Sequence, residues 1–135
     1  MDASCQCGHI KFKTPDPTPL DVYVCHCLAC RKQSSSAFGV SAIFPRFELP
    51  VAEPPLGCYR RPTDSGNLMS CYFCPLCGSR LIHVSDGGKQ NTVSVKGGCL
   101  DGLDWTSLKK HIWCRRAVVP IPEGVQRWDG EPTKE

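Results

Sequence analysis

Cys25-His26-Cys27-Leu28-Ala29-Cys30 places three thiols within six residues, and Cys74-Pro75-Leu76-Cys77-Gly78-Ser79 adds a pair at C-x-x-C spacing. Both spacings suit tetrahedral zinc, which takes four protein ligands when structural and three when catalytic. Cys5-Gln6-Cys7 supplies two further thiols, and the seven divide as four plus three. Cys25, Cys27 and Cys30 lie so close that one short loop could hold all three on a single metal, leaving a fourth position open. The Cys74/Cys77 knuckle needs two more ligands, and Cys5 with Cys7 is the other closely spaced pair. That grouping would pin the N-terminus to the middle of the chain. A lone C-x-x-C also serves redox chemistry, so the reading rests on three clustered fragments in one small protein.

A chain of 135 residues fits one domain, taken here as 1–135 with a polar tail from about Glu123 that is expected to be loose. Its 11 cysteines could be a disulfide scaffold, but Met1-Asp2-Ala3-Ser4 runs into the first pair without the basic and apolar stretches of a secretion signal. No run approaches the roughly 20 apolar residues of a membrane helix. A reducing, cytoplasmic setting is expected, and clustered cysteines there more often bind metal. The formal charge of +3 assumes neutral thiols. Seven ionised thiolates around two Zn²⁺ would cancel it, which removes the main support for a nucleic-acid partner.

The rest of the chain reads as short strands between turns. Ile10 and Phe12 alternate with polar neighbours, Val22 and Val24 lead into Cys25, and Phe38, Val40, Ala42 and Phe44 alternate again. The open site therefore sits at a strand end, followed by a polar loop over 31–36. Residues 45–57 carry Pro50, Pro54 and Pro55 and read as a surface loop. Residues 58–61 and 68–73 can be strands around a turn at 64–67. Leu81, Ile82 and Val84 lead to a turn at Asp86-Gly87-Gly88, with 92–95 as the returning strand. Residues 97–104 read as flexible, His111-Ile112-Trp113-Cys114 as one more strand, and no segment has a sustained helical period.

Taken in order, several fragments resemble the glutathione-dependent formaldehyde-activating enzyme family and its CENP-V-type zinc domains. They are C-x-C-G at Cys5, C-H-C-x-x-C-R-K at Cys25, Ser36-Ala37-Phe38, Phe73-Cys74-Pro75-x-Cys77-Gly78-Ser79, Gly98-x-Leu100-Asp101 and His111-Ile112-Trp113. The resemblance implies a mainly β, β-tent fold of small antiparallel sheets stapled by zinc, with little helix. By position it implies a structural zinc on Cys5, Cys7, Cys74 and Cys77, and a catalytic zinc on Cys25, Cys27 and Cys30. Glutathione would be the co-substrate. The chain departs from many members at Cys71, where they carry arginine, and at Leu108, where they carry proline.

Three thiolates on Zn²⁺ leave a net negative unit, a poor Lewis acid for activating water but a ready acceptor of a fourth thiolate. A cysteinyl thiol such as glutathione's is therefore the expected guest, and the reaction makes or breaks a carbon–sulfur bond with a small electrophile or its glutathione adduct. His26, between two ligands, could exchange a proton near the metal as a catalytic residue, or serve as a hydrogen-bonded loop histidine. Arg31, Lys32, Ser34, Ser35 and Ser36 could meet glutathione's carboxylates, with exposed charge as the alternative. Arg60-Arg61, Lys109-Lys110 and Arg115-Arg116 read as solvated faces. Cys58 and Cys114 read as small buried hydrophobes. Cys99 could close the three-cysteine site as a fourth ligand. That would make both zincs structural and favour the competing function, a non-catalytic zinc-stapled module that binds a protein.

Overall fold

The computed structural model describes residues 1–64, 66–86 and 91–133. As expected, the described residues are mainly β, and they include one short α-helix. Strands β1 (Asp2–Ser4) and β2 (Lys11–Lys13) form a small antiparallel sheet around the first cysteine pair. The others are β3 (Asp21–Cys25), β4 (Gly39–Pro45), β5 (Gly57–Pro62), β6 (Leu68–Phe73), β7 (Arg80–Ser85), β8 (Thr92–Lys96), β9 (Lys110–Ile112) and β10 (Gln126–Arg127). They make one eight-stranded sheet in the order β10-β9-β3-β4-β8-β7-β6-β5. Its pairings are antiparallel except for β3 with β9 and β9 with β10.

Strand alternation gives this sheet two unlike faces. On one, Ala42 and Phe44 of β4, Ile82 and Val84 of β7 and Val93 and Val95 of β8 enter the main core with Ile10, Leu100 and Leu103. Most of these side chains are completely buried, the larger ones contributing about 1.5–3 kcal/mol each. The 46–56 loop covers part of that core with Phe47, Leu49, Ala52 and Leu56, and Phe47 stacks on Phe12 at 6.0 Å between ring centres. The other face carries polar groups. Register places Tyr59, Cys71, His83 and Ser94 in one row, with Arg61 beside Met69 and Lys96 beside Ser41.

Three expectations need correction. The polar segment after Cys30 is not a loop: α1 (Leu28–Ser34) begins inside the metal motif. Its N-cap is Cys27, whose sulfur accepts the Cys30 N–H at 3.2 Å, and Ser35 closes it in the left-handed conformation. A seven-residue helix is too short to declare a period, and cysteine is not among the usual capping residues. The 97–104 stretch contains a turn of 3₁₀ helix, Gly97–Cys99, and its Leu100 bridges to Ala3. The predicted strand at His111–Cys114 is shorter and earlier, because Trp113 turns the chain with a positive φ of 56°. The anticipated turns at 64–67 and 86–88 include Ser65, Gly87 and Gly88, which lie outside the described residues. Beyond Glu123, β10 pairs with β9, and the Trp128 N–H donates to His111 O at 3.0 Å.

Candidate metal centres and active site

The hairpin turn between β1 and β2 and the knuckle after β6 bring Cys5, Cys7, Cys74 and Cys77 together. All four sulfurs lie within 4.8 Å of one another. Cys5–Cys7 and Cys7–Cys74 are 3.7 Å apart, sulfur to sulfur. A tetrahedron of sulfurs at the usual zinc distance has edges of about 3.8 Å, which these two separations match, so the donor set suits zinc. Gly78 makes the knuckle possible: at φ 79° its N–H donates to Cys74 O at 2.9 Å, closing a turn a side chain would strain. Ser79 links the two halves. Its hydroxyl accepts the Gln6 N–H at 3.0 Å and donates to Cys77 Sγ at 3.3 Å, and this bond is the main cause that draws the Cys77 thiol down to about 5. A ligand that loses its proton readily favours metal capture near neutral pH.

Cys25, Cys27 and Cys30 form the second cluster, at the end of β3 and the start of α1, with their sulfurs also within 4.8 Å of one another. Cys25 lies opposite Gly39 in the β3–β4 register. A β-carbon on Gly39 would stand 3.2 Å from Cys30 Cβ and 3.4 Å from its sulfur, so glycine lets α1 settle close against β4. Hydrogen bonds from the Cys25 and Cys30 thiols, joined by the Cys30 N–H, pull the Cys27 thiol down to about 2, while the same thiol contacts push Cys25 up. Three thiols sharing so small a space favour a bound cation. Cys99 does not complete this set. It packs on the main core, its Sγ donates to Arg80 O at 3.3 Å, and its electrostatic neighbours include Cys5 and Cys77. Nor are the spare cysteines uniformly buried: Cys71 is, whereas Cys58 is exposed on the outer strand and Cys114 is partly exposed.

Residues 1–116 match the sequence profile of the family described as glutathione-dependent formaldehyde-activating enzyme. The chain belongs to that family. A solved structure of a Rhodobacter sphaeroides protein resembles this family member with a TM-score of 0.57 at 21% identity, covering 80% of this chain and 94% of the other, a likeness of fold. No curated protein matches the sequence. Membership supports a glutathione-linked activity, and the two cysteine clusters supply donor sets that zinc fits. No helix among the described residues is long and apolar enough to cross a membrane.

The other predicted site residues of this family member separate into three groups. His26 is buried, with its ring Nε2 2.9 Å from Nδ1 of His111 and its ring stacked on that histidine, while its backbone N–H donates to Ile112 O. Its Nδ1 is buried without a partner, and burial with the nearby His111 lowers its affinity for a proton. Arg31, Lys32, Ser35 and Ser36 line, with Leu28, a cavity of about 310 Å³ along one stripe of α1. Ser34 is absent from that lining: its hydroxyl donates to Cys30 O at 2.6 Å, with Phe38 O 3.2 Å away.

A second cavity, of about 410 Å³, opens beside Cys30 between α1 and the polar face of the sheet. Its lining includes Lys32, Gln33, Tyr59, Arg61, Arg80 and His83. Arg61 is a correction to the sequence reading, in which Arg60-Arg61 was one solvated pair. Successive strand residues face opposite ways, so Arg60 turns to Asp86 in an ion pair while Arg61 enters the cavity. No motif marks Tyr59, Arg80 or His83; only the β5–β6–β7 register brings them to Cys30. Lys96, buried in the neighbouring strand, donates to Ser41 Oγ at 2.8 Å and adds positive charge near Cys30.

His83 is held neutral. Burial, then the charges of Lys96, Arg80 and Arg61, bring its pKa down to about 2, and Arg80 Nη1 lies 3.3 Å from His83 Nε2, a contact in which the unprotonated ring accepts. A histidine whose folded pKa is depressed contributes stability that is complete above the unfolded pKa of about 6.5 and is lost as pH falls towards the folded value. His83→Gln should flatten the acid side of the stability curve. Between pH 7 and 5 the wild type should lose about 2 kcal/mol more than the variant, measured by denaturant unfolding of the zinc-loaded proteins. Parallel curves for the two would mean that His83 takes up no extra proton on unfolding.

Proposed function

We propose that this family member is a zinc-dependent, glutathione-linked carbon–sulfur lyase, or a related enzyme that makes or breaks the bond between glutathione's sulfur and a carbon electrophile. The observation that carries this reading is the three-thiol cluster of Cys25, Cys27 and Cys30, which lacks a fourth protein ligand among the described residues and borders a cavity at Cys30. Cys25, Cys27 and Cys30 would hold the zinc, which would supply a position able to accept and stabilise a thiolate. In the forward direction the glutathione sulfur adds to a carbonyl or conjugated carbon. The proton it sheds ends on the carbonyl oxygen or the adjacent carbon, and the reverse path returns it to sulfur.

The chain's own groups prepare this chemistry. Lys96, Arg61 and Arg80 offset the negative charge that accumulates when a fourth thiolate joins three others. Arg31, Lys32, Ser35 and Ser36 offer charge-assisted and hydroxyl hydrogen bonds to glutathione's carboxylates, so that orientation and sulfur activation come from different parts of the site. His26 supports from behind. Its ring, wedged against His111 and Phe38, positions the backbone between Cys25 and Cys27.

Glutathione and S-methylglutathione share both carboxylates, but only the first can become a thiolate. Calorimetry near pH 7 should show glutathione binding at least about tenfold more tightly, and zinc X-ray absorption should show an added sulfur with glutathione alone. Equal affinities with an unchanged zinc spectrum would remove the thiolate mechanism and leave the protein-binding module as the better account.

A further inference from the structure

We propose that the cavity beside Cys30 is a carboxylate subsite for the carbon partner, so that the preferred substrates are glutathione adducts whose carbon arm is itself an acid. This rests on the glutathione reading for the adduct, and on the cavity alone for the acid.

Lys32, Arg61 and Arg80 bring three cations to the lining, which includes no aspartate or glutamate. Among the described residues none of the three makes an ion pair; those found are Lys13–Asp2, Arg60–Asp86 and Lys110–Asp21. Arg61 Nη2 donates to Met69 Sδ at 3.6 Å, a weak acceptor. Arg80 Nη1 meets the neutral His83, and its guanidinium carbon lies 5.9 Å from the centre of the Tyr59 ring. Most guanidinium donors are therefore left for a ligand. A carboxylate matches the planar fork of arginine better than a neutral carbonyl does, and a partly enclosed cavity strengthens the attraction. The Tyr59 phenol and Gln33 amide lie in the same lining and can share the remaining acceptor positions.

Placement separates this subsite from glutathione's own carboxylates. The first cavity follows Leu28, Arg31, Lys32, Ser35 and Ser36 along one stripe of α1, while the second follows Ala29, Lys32 and Gln33 on the adjoining stripe and alone includes a cluster cysteine. A carbon arm attached to sulfur at the cluster passes Cys30 directly into the arginine-lined space. The tripeptide's backbone has the other flank of the helix, and Lys32 borders both.

The test compares S-(carboxymethyl)glutathione with its neutral isostere S-(carbamoylmethyl)glutathione by calorimetry on the zinc-loaded full chain. The acid should bind at least about tenfold more tightly. In the Arg61→Met/Arg80→Met double variant that ratio should collapse to near one, with zinc content unchanged. If the double variant does not fold, Arg80→Gln should lower the ratio in the same direction, and the wild-type comparison stands without any variant. Succinate alone distinguishes this idea from the glutathione reading. Succinate bound by the wild type and lost by the double variant keeps the subsite even if glutathione does not bind. Glutathione bound with equal affinity for acid and amide adducts overturns the subsite and leaves the glutathione reading intact. Inorganic phosphate displacing succinate at equal concentration would reduce the cavity to an unselective anion patch and overturn it too.

Discussion

Cys74→Ser should lose one zinc per chain and lower the melting temperature by about 10 °C or more, the largest effect expected of any single cysteine change. Cys74 is completely buried and lies 3.7 Å from Cys7 across the seam between the N-terminal hairpin and the knuckle. Structural zinc contributes about 10–16 kcal/mol in small zinc modules, comparable with the whole stability of about 5–15 kcal/mol of an ordinary domain. A serine hydroxyl is a poor ligand for zinc in a thiolate set, and the three remaining sulfurs would keep the cost of crowding without the full compensation. Cys58→Ser is the control, because Cys58 is exposed and outside both clusters; it should change neither metal content nor melting. Unaltered zinc and melting in Cys74→Ser would refute the structural assignment.

Cys27→Ser should separate chemistry from folding. The sulfur of Cys27 is both a member of the three-thiol cluster and the N-cap of α1. Serine is itself a favoured N-cap, so its hydroxyl can take over the Cys30 N–H while failing as a soft metal ligand. The expected result is loss of the second zinc, glutathione-linked turnover reduced on the order of 100-fold or more, and a melting temperature within a few degrees of the wild type. Metal analysis, turnover and thermal unfolding on one preparation check all three. Retained turnover after loss of that zinc would move the chemistry away from the cluster. A collapse of the fold equal to that of Cys74→Ser would show that the second site is structural as well.

The grouping of the cysteines was written locally enough to be read from the chain. Cys25, Cys27 and Cys30 are near neighbours, so one strand end and one helical turn suffice to gather them, and the two close pairs could be matched because each needed a partner. Alternation at Ala42 and Phe44 likewise marked a strand with one buried face. Those inferences depend on spacings of a few residues. The short helix escaped because its cap is a metal-site cysteine and its length spans barely two turns. Tertiary structure alone decided which cations meet the cluster. Arg61 comes from β5, and Arg80 with the neutral His83 from β7; their convergence on Cys30 depends on the register of β5, β6 and β7 and on the approach of α1 allowed by Gly39. It also decided that Cys99 falls beside Arg80 and the four-cysteine side rather than closing the three-thiol set. A one-residue shift of strand register exchanges the two faces of a sheet, so the amino-acid order could group the cysteines into their two clusters while only the completed pairing assigned Arg60 to Asp86 and Arg61 to the cavity.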